Sequence, residues 1–275
     1  MTKPLEPGLY IVATPIGNLG DITLRAIETL RGVDAVACED TRVAGKLLHH
    51  LGIKQRLIRH DDHSDDAARS GLLDLAARGP VALVSDAGTP LISDPGYRLV
   101  GEARTRGIAV TVVPGACAAI AAVALFGLPS DRFLFAGFLP AKAQARATML
   151  AELAAVPASL VFYETAPRLL DTLAAIGQGL PGRELAVARE LTKLHEECGR
   201  GPVEELIAHY SAKPPRGEIV LVVAPPVADA GPAFDADALL RAELAHAGPS
   251  QAASAVARMT GMDRKTLYAR ALELR

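Results

Sequence analysis

The sequence predicts an α/β protein, two α/β domains followed by a small C-terminal helical segment, and three observations carry that prediction. Short apolar runs alternate with amphipathic stretches through the first half. A glycine falls just past each of four of those stretches. Beyond Gly127-Leu128-Pro129-Ser130 the alternation changes and the later apolar runs draw close together. Regular alternation of short β-rich runs with helix-length segments is the pattern of a doubly wound, mostly parallel sheet. The expected divisions are an N-terminal domain over 1–125, a second α/β domain over 126–224, a linker over 225–238 and a helical segment over 239–275.

Taken in order, Leu9 to Ala13, Ala35 to Cys38, Arg56 to Ile58, Val81 to Val84 and Ala109 to Val113 read as strands. Ile22 to Leu30, Thr41 to Leu51, Asp65 to Ala77 and Tyr97 to Thr105 read as the helices between them. Gly32, Gly52, Gly79 and Gly107 stand where left-handed C-caps are wanted. In the second domain Phe133 to Ala136, Leu160 to Tyr163, Leu185 to Arg189, Glu196 to Gly199 and Glu218 to Val223 suggest a second sheet, with a helix at Val203 to Tyr210. Residues 225–238 are rich in Pro, Ala, Gly and Asp, as a linker is. In the tail, Ala257, Gly261 and Leu267 have helix-turn-helix spacing, with Asp263 capping the second helix and exposing Arg264 and Lys265 to RNA. A helical pair packed on the body fits the same residues.

Composition narrows the function classes. With 275 residues and 50% hydrophobic content the chain is long enough for two moderate cores. It lacks an apolar run of about 18 residues and a basic-then-apolar N-terminus, so a cytoplasmic protein with no membrane contact is expected. Cys38, Cys117 and Cys198 are odd in number and far apart, which suits reduced thiols and no metal. The net charge of −2 argues against binding nucleic acid through a global positive field. From Pro249 onward, however, five basic residues stand against two acidic ones, a net +3 on a body at −5.

The run Ser85 to Gly96 is the most telling. It follows a strand that reads as buried on both faces, and its glycines and prolines hold the chain on one irregular path at the strand's carboxyl end, where open α/β sheets bind ligands. Thr14 to Ile22 forms a second such loop. Its Gly17 and Gly20 fit neither the dinucleotide fingerprint nor the P-loop, and Asp21 is its expected helix cap. Pro114-Gly115 opens a nearly side-chain-free helix, which suits close approach either to a flat ligand or to a neighbouring element.

Several polar groups are open to two readings. His60-Asp61-Asp62-His63-Ser64-Asp65-Asp66 is better explained as a loop and helix N-terminus than as a metal site, and His63 or His60 is also a candidate base or RNA contact. Glu164 and Glu190 each follow an apolar strand, as cleft residues would; equally, they suit pairing with Arg168 and Arg189. Asp40 is a helix cap with Arg42 free to face phosphate. Lys142 and Arg146 would share one helix face, solvated or on RNA.

The ordered motifs Ala13 to Asp21, Glu39-Asp40-Thr41-Arg42, Ser85 to Gly96, Pro114-Gly115, Gly127 to Phe133, Phe138-Leu139-Pro140, Phe162-Tyr163-Glu164, Ala188 to Lys193 and Gly217-Glu218 resemble one family. It is the ribosomal small subunit methyltransferase I family, a branch of the tetrapyrrole methylase superfamily, and the likeness runs from about residue 8 to 224. The resemblance implies two α/β domains of the tetrapyrrole methylase type with the donor cleft between them. It implies methylation, from S-adenosyl-L-methionine, of the 2′-hydroxyl of a cytidine in the decoding region of 16S ribosomal RNA within the small subunit, by a homodimer. Carried over by motif, the donor is held by Pro15, Asp86, Ala87, Gly88, Thr89, Leu91, Ile92, Ser93, Ala116, Cys117, Tyr163 and Gly217. Porphyrinogen-methylating relatives carry Gly-Asp-Pro where this chain has Ala87-Gly88-Thr89, which counts against the alternative, a tetrapyrrole or other small-molecule acceptor.

Overall fold

In the structure, a computed structural model that describes residues 4–61, 65–226, 235–260 and 262–274, the first five strands are β1 (Gly8–Val12), β2 (Ala35–Cys38), β3 (Arg56–Arg59), β4 (Pro80–Val84) and β5 (Val110–Val113). They form a parallel sheet in the order β3-β2-β4-β1-β5. The helices between them are α1 (Leu24–Gly32), α2 (Thr41–His50), α3 (Asp66–Ala76) and α4 (Tyr97–Thr105). Successive strand residues face opposite ways. Tyr10, Val12, Val36, Cys38, Ala82 and Val84 therefore pack on Ala26 and Leu30 of α1 and Ala44 and Leu48 of α2. Leu9, Ala37, Val81 and Leu83 face the other side, onto α3 and α4. The chain leaves neighbouring β1 and β4 toward opposite faces, which makes their carboxyl ends a topological switch point.

Local signals account for most boundaries. Asp40 and Asp65 cap α2 and α3, accepting from Arg42 N and Ala68 N. Thr23, not Asp21, caps α1: its Oγ1 accepts from Ala26 N at 3.1 Å, while Asp21 ends a short 3-10 turn opened by Asn18. Gly52 and Gly107 are left-handed, with φ of +65° and +72°. Gly32 is the last residue of α1 and Gly79 is not left-handed; a Cβ on Gly79 would overlap Asp34 Oδ2, so that glycine answers close approach rather than handedness.

The second sheet, β6 (Phe133–Phe138), β7 (Ser159–Thr165), β8 (Leu185–Arg189), β9 (Glu197–Gly201) and β10 (Glu218–Val223), runs in the order β6-β7-β10-β8-β9. Only β6 and β7 are parallel. One face, with Leu160, Phe162, Val187 and Leu221, packs on α6 (Ala143–Leu153), α7 (Leu169–Gly179) and α8 (Val203–Ala212). The opposite face, with Val161, Ala186, Ala188, Val220 and Val222, is covered by α5 (Ala118–Phe126) through Ala119, Ala122, Val123 and Phe126. The small side chains of α5 thus serve close packing on the second sheet, although the helix follows the last strand of the first.

Residues up to Pro225 form one compact unit and those from Pro226 a second. Among its described residues the second unit has three helices, α9 (Ala236–Leu244), α10 (Pro249–Thr260) and α11 (Arg264–Glu273), around Leu240, Ala253, Val256, Leu267 and Ala271. Asp263 caps α11, and Arg270 clamps Asp237 at 2.6 and 2.9 Å.

Candidate active site

Two loops of the first lobe are stitched together at the switch point. Thr14 N donates to Gly88 O at 2.8 Å and Gly88 N to Thr14 O at 3.2 Å, while Thr14 Oγ1 reaches Ser85 O at 3.3 Å. Thr89 Oγ1 ties the same loop to Ala116 O at 2.9 Å, beyond β5. Gly88 has φ +79°, and a Cβ there would press to 3.2 Å from Ile16 Cγ2. Among the described residues, only four non-glycines have positive φ: Leu91, Ser93, Glu190 and Thr192. Each costs about 1 kcal/mol or more in the left-handed region. They fall in two loops, one from each lobe, and those loops meet at one cavity.

The cavity measures about 380 Å³, within the range of small-molecule sites. Ile16, Glu39, Asp86, Ala87, Gly88, Thr89, Ile92, Ser93 and Asp94 line it from the first lobe; Ala118 of α5, Phe138, Tyr163, Glu164, Lys193 and Glu218 are among its other walls. Tyr163 holds that wall in place. Its ring meets Phe135 and Phe138 edge-on at 4.8 and 5.8 Å, and its hydroxyl accepts from Ala119 N at 3.3 Å, satisfying an end of α5 that lacks a side-chain cap. Burial, with Cys117 alongside, raises the Tyr163 hydroxyl above its ordinary pKa. Among the described residues, four acidic side chains, Glu39, Asp86, Asp94 and Glu218, and the Lys193 ammonium bring charge to its lining, whereas the fully buried Glu164 carboxylate turns away to Thr172. Burial, with a lesser push from the Glu39 and Asp86 carboxylates, lifts Asp94 to about 6 against a hydrogen bond from Ser85 that lowers it.

The sequence-derived candidates divide between wall and support. Asp86, Ala87, Gly88, Thr89, Ile92, Ser93 and Tyr163 line the cavity. Leu91 instead packs on the first core, Ala116 and Cys117 on the second, and Gly217 stands behind Glu190, where any Cβ would overlap the Glu190 carboxylate. Pro15 lies beside the lining residue Ile16. His63 falls outside the described residues. Glu164 is fully engaged: Thr165 N donates to its Oε1 at 2.7 Å, Thr172 Oγ1 to its Oε2 at 2.6 Å, and Arg168 lies 3.3 Å away. Glu190 pairs with Lys193 at 2.7 Å rather than with Arg189, which goes to Glu197. Burial alone would raise the Glu190 pKa, but bonds from Lys193 and Glu218 N bring it below the ordinary range. Arg42 is exposed and doubly bonded to Asp40; Lys142 is exposed at the start of α6. Arg146 leaves their company: it is buried and donates to Ala141 O. Arg264 and Lys265 are exposed at the start of α11, Arg264 bonding Ser250 Oγ at 3.2 Å. Sequence reasoning passed over Glu39, Asp94, Phe138, Lys193 and Glu218, although all lie within the quoted motifs.

Within 8–207 the chain matches the family model described as Tetrapyrrole (Corrin/Porphyrin) Methylases, and within 230–275 that described as RsmI C-terminal HTH domain. A relative from Erythrobacter litoralis named ribosomal RNA small subunit methyltransferase I is 66% identical over 99% of this chain and 97% of its own. Its namesake from Mesorhizobium japonicum is 52% identical over 99% and 94%. A uroporphyrin-III-C-methyltransferase from Thermus thermophilus superposes with a TM-score of 0.57 at 24% identity, over 80% of this chain and 94% of that one, and shares the fold. The chain is accordingly a methyltransferase and belongs to the ribosomal RNA small subunit methyltransferase I family.

Proposed function

We propose that the chain transfers a methyl group from S-adenosyl-L-methionine to the 2′-hydroxyl of cytidine 1402 in 16S ribosomal RNA of the small subunit. The cavity wall carries the donor reading. Four carboxylates against one ammonium suit a ligand of net positive charge, as a sulfonium and an ammonium outweighing one carboxylate make this donor. Gly88 and its neighbours let backbone approach the ligand closely, and Phe138 and Tyr163 offer an apolar aromatic wall. When bound, S-adenosyl-L-methionine supplies a methyl group already activated by its sulfonium leaving group. Asp86 to Thr89, Ile92 and Ser93 hold it from one lobe and Tyr163 from the other. Pro15, Leu91, Ala116, Cys117 and Gly217 fix the backbone and side chains behind them.

The remaining tasks are to align the ribose oxygen and to accept its proton. Alignment is worth about 7 to 11 kcal/mol, against roughly 3 to 5 kcal/mol for a general base. Two lobes that meet at one cavity serve alignment, the greater of the two effects. Asp94, poised at about 6, is the carboxylate suited to the proton. Glu164, with both oxygens bonded, and Glu190, whose Oε1 takes Lys193 and Glu218 N, act as holders. The RNA acceptor follows from the relatives' names, with Arg42, Lys142, Arg264 and Lys265 as exposed cations for its phosphates. A cytoplasmic homodimer completes the reading; exposed Val112, Ile120, Leu125, Phe133 and Leu134 support a second copy.

The test is transfer of a labelled methyl group to small ribosomal subunits lacking this modification, followed by nucleoside analysis. Label in 2′-O-methylcytidine is expected. Label on a porphyrinogen offered in parallel, with none in RNA, would overturn the assignment.

A further inference from the structure

Resting on that reading, we propose that Lys193 is the acceptor-side contact of the active site: its ammonium binds an anionic oxygen of the RNA, a phosphate flanking the ribose to be methylated. An ammonium has three donors. Glu190 Oε1 and Glu218 Oε2 take two of them, each at 2.7 Å, and among the described residues no protein acceptor takes the third. The stem of Lys193 crosses from the second lobe onto the first: a Cβ on Gly17 would meet its Cε at 2.6 Å and its Cδ at 3.0 Å. The side chain lines the cavity, yet keeps 26% of its surface exposed.

The arrangement is built at a cost in local strain. Glu190 and Thr192, either side of Leu191, are both left-handed, and Thr192 Oγ1 is buried without a hydrogen-bond partner. Gly217, itself at φ +87°, vacates the space that Glu190 fills, and Glu218 N donates to Glu190 Oε1 at 3.0 Å. Strained backbone held by such supports is characteristic of functional positions. The charge pattern explains the pairing: an isolated cation would oppose a positively charged donor, whereas two carboxylates outweigh it in the free site, and displacement of one of them leaves a neutral pair with a directed N–H. Glu218, with 76% of its side chain exposed, is the partner that a phosphate oxygen can displace. A polymer cannot enter a cavity of about 380 Å³ and must be held at its edge. The donor's own carboxylate presents the same anionic chemistry, so the test separates the two sources.

Lys193→Met and Lys193→Arg are compared with the wild-type protein for donor affinity by calorimetry and for methyl transfer to unmodified small subunits across a salt series. Lys193→Met should bind donor within about twofold of wild type and lose about 10- to 100-fold in kcat/KM for the subunit, chiefly through KM. Its slope of log affinity against log salt should fall by about 0.7 to 0.9, the mark of one lost phosphate contact, which a merely structural clasp would not produce. Lys193→Arg should recover most of the loss. Glu218→Gln, which removes the competing carboxylate, should tighten subunit binding even if Lys193→Met fails to fold. Donor affinity lost with the salt slope intact would assign Lys193 to the donor's carboxylate and overturn the proposal. So would unchanged transfer, or weakened subunit binding by Glu218→Gln. A wild-type protein that binds donor yet labels no RNA would remove the functional reading itself, a result distinct from any defect confined to Lys193→Met.

Discussion

Gly217→Ala tests whether the strained loop of the second lobe holds Glu190 as described. Two costs add. The new side chain must sit at φ +87°, worth about 1 to 2 kcal/mol. Its Cβ would also overlap the Glu190 carboxylate and lie 2.7 Å from its Cγ, so Glu190 must swing out and give up its bonds to Lys193 Nζ and Glu218 N. Discounted for solvent screening, those two bonds are worth roughly 1 to 2 kcal/mol together. The expected loss of about 2 to 4 kcal/mol is measurable by urea unfolding of the full chain. The second cost depends on Glu190 being present, so the same Gly217→Ala change in a Glu190→Ala background should cost about 1 to 2 kcal/mol less. A loss below about 0.5 kcal/mol, or additivity of the two changes, would show that Glu190 does not occupy this position.

Four further outcomes are expected. The rate of methyl transfer should rise as pH increases through about 6 in the wild type, and Asp94→Asn should lose both rate and acid limb; an acid limb retained in the variant would assign it to another group. Because the folded Asp94 pKa of about 6 lies above its ordinary 3.8, its contribution to stability is present below that ordinary value and lost as pH rises through about 6, a trend that unfolding of Asp94→Asn at pH 4 and pH 7 should lack. Glu164→Gln leaves the partly exposed Arg168 without its counter-charge and should destabilise by about 2 to 3 kcal/mol; the folded variant should keep transfer within about tenfold of wild type, and complete loss of turnover would restore Glu164 as the base. Asp263→Ala removes the cap of α11 and should cost about 1 kcal/mol in the C-terminal unit, read by hydrogen exchange of its helices, with donor affinity unchanged.

What could be read from the chain, and what could not, follows from the range over which each signal acts. The bounds of β8, β10 and α4 match apolar runs and flanking turn residues, because those signals are local. The loop from Ser85 to Gly96 was legible for the same reason: its glycines and prolines constrain their own backbone. Asp21 was mistaken for a cap because Thr23, two residues on, competes for the same role and wins with a bond to Ala26 N. Arg146 shows the opposite limit. Its spacing from Lys142 places both on one side of a helix, yet only burial distinguishes an arginine that reaches RNA from one that satisfies Ala141 O. Lys193 and Glu218 are 25 residues apart in the chain and become partners only because β10 pairs between β7 and β8.

The placement of α5 explains how these distant groups come to share one cavity. The helix follows β5 of the first sheet, but its buried residues pack on Val161, Ala186 and Val220 of the second. A division between 125 and 126 would cut through that packing, since Phe126 and Leu128 belong to the same cluster as Ala119 and Ala122. The alanines permit the close approach, and the approach brings Ala119 N within reach of Tyr163 Oη and puts Ala118 on the cavity wall. Ala116 O, just before the helix, anchors Thr89 of the ligand loop. One helix thus fixes the long loop of the first lobe relative to the aromatic wall of the second. Enlarging Ala122, which is fully buried, should therefore weaken donor binding as well as lower stability, as calorimetry and urea unfolding would show.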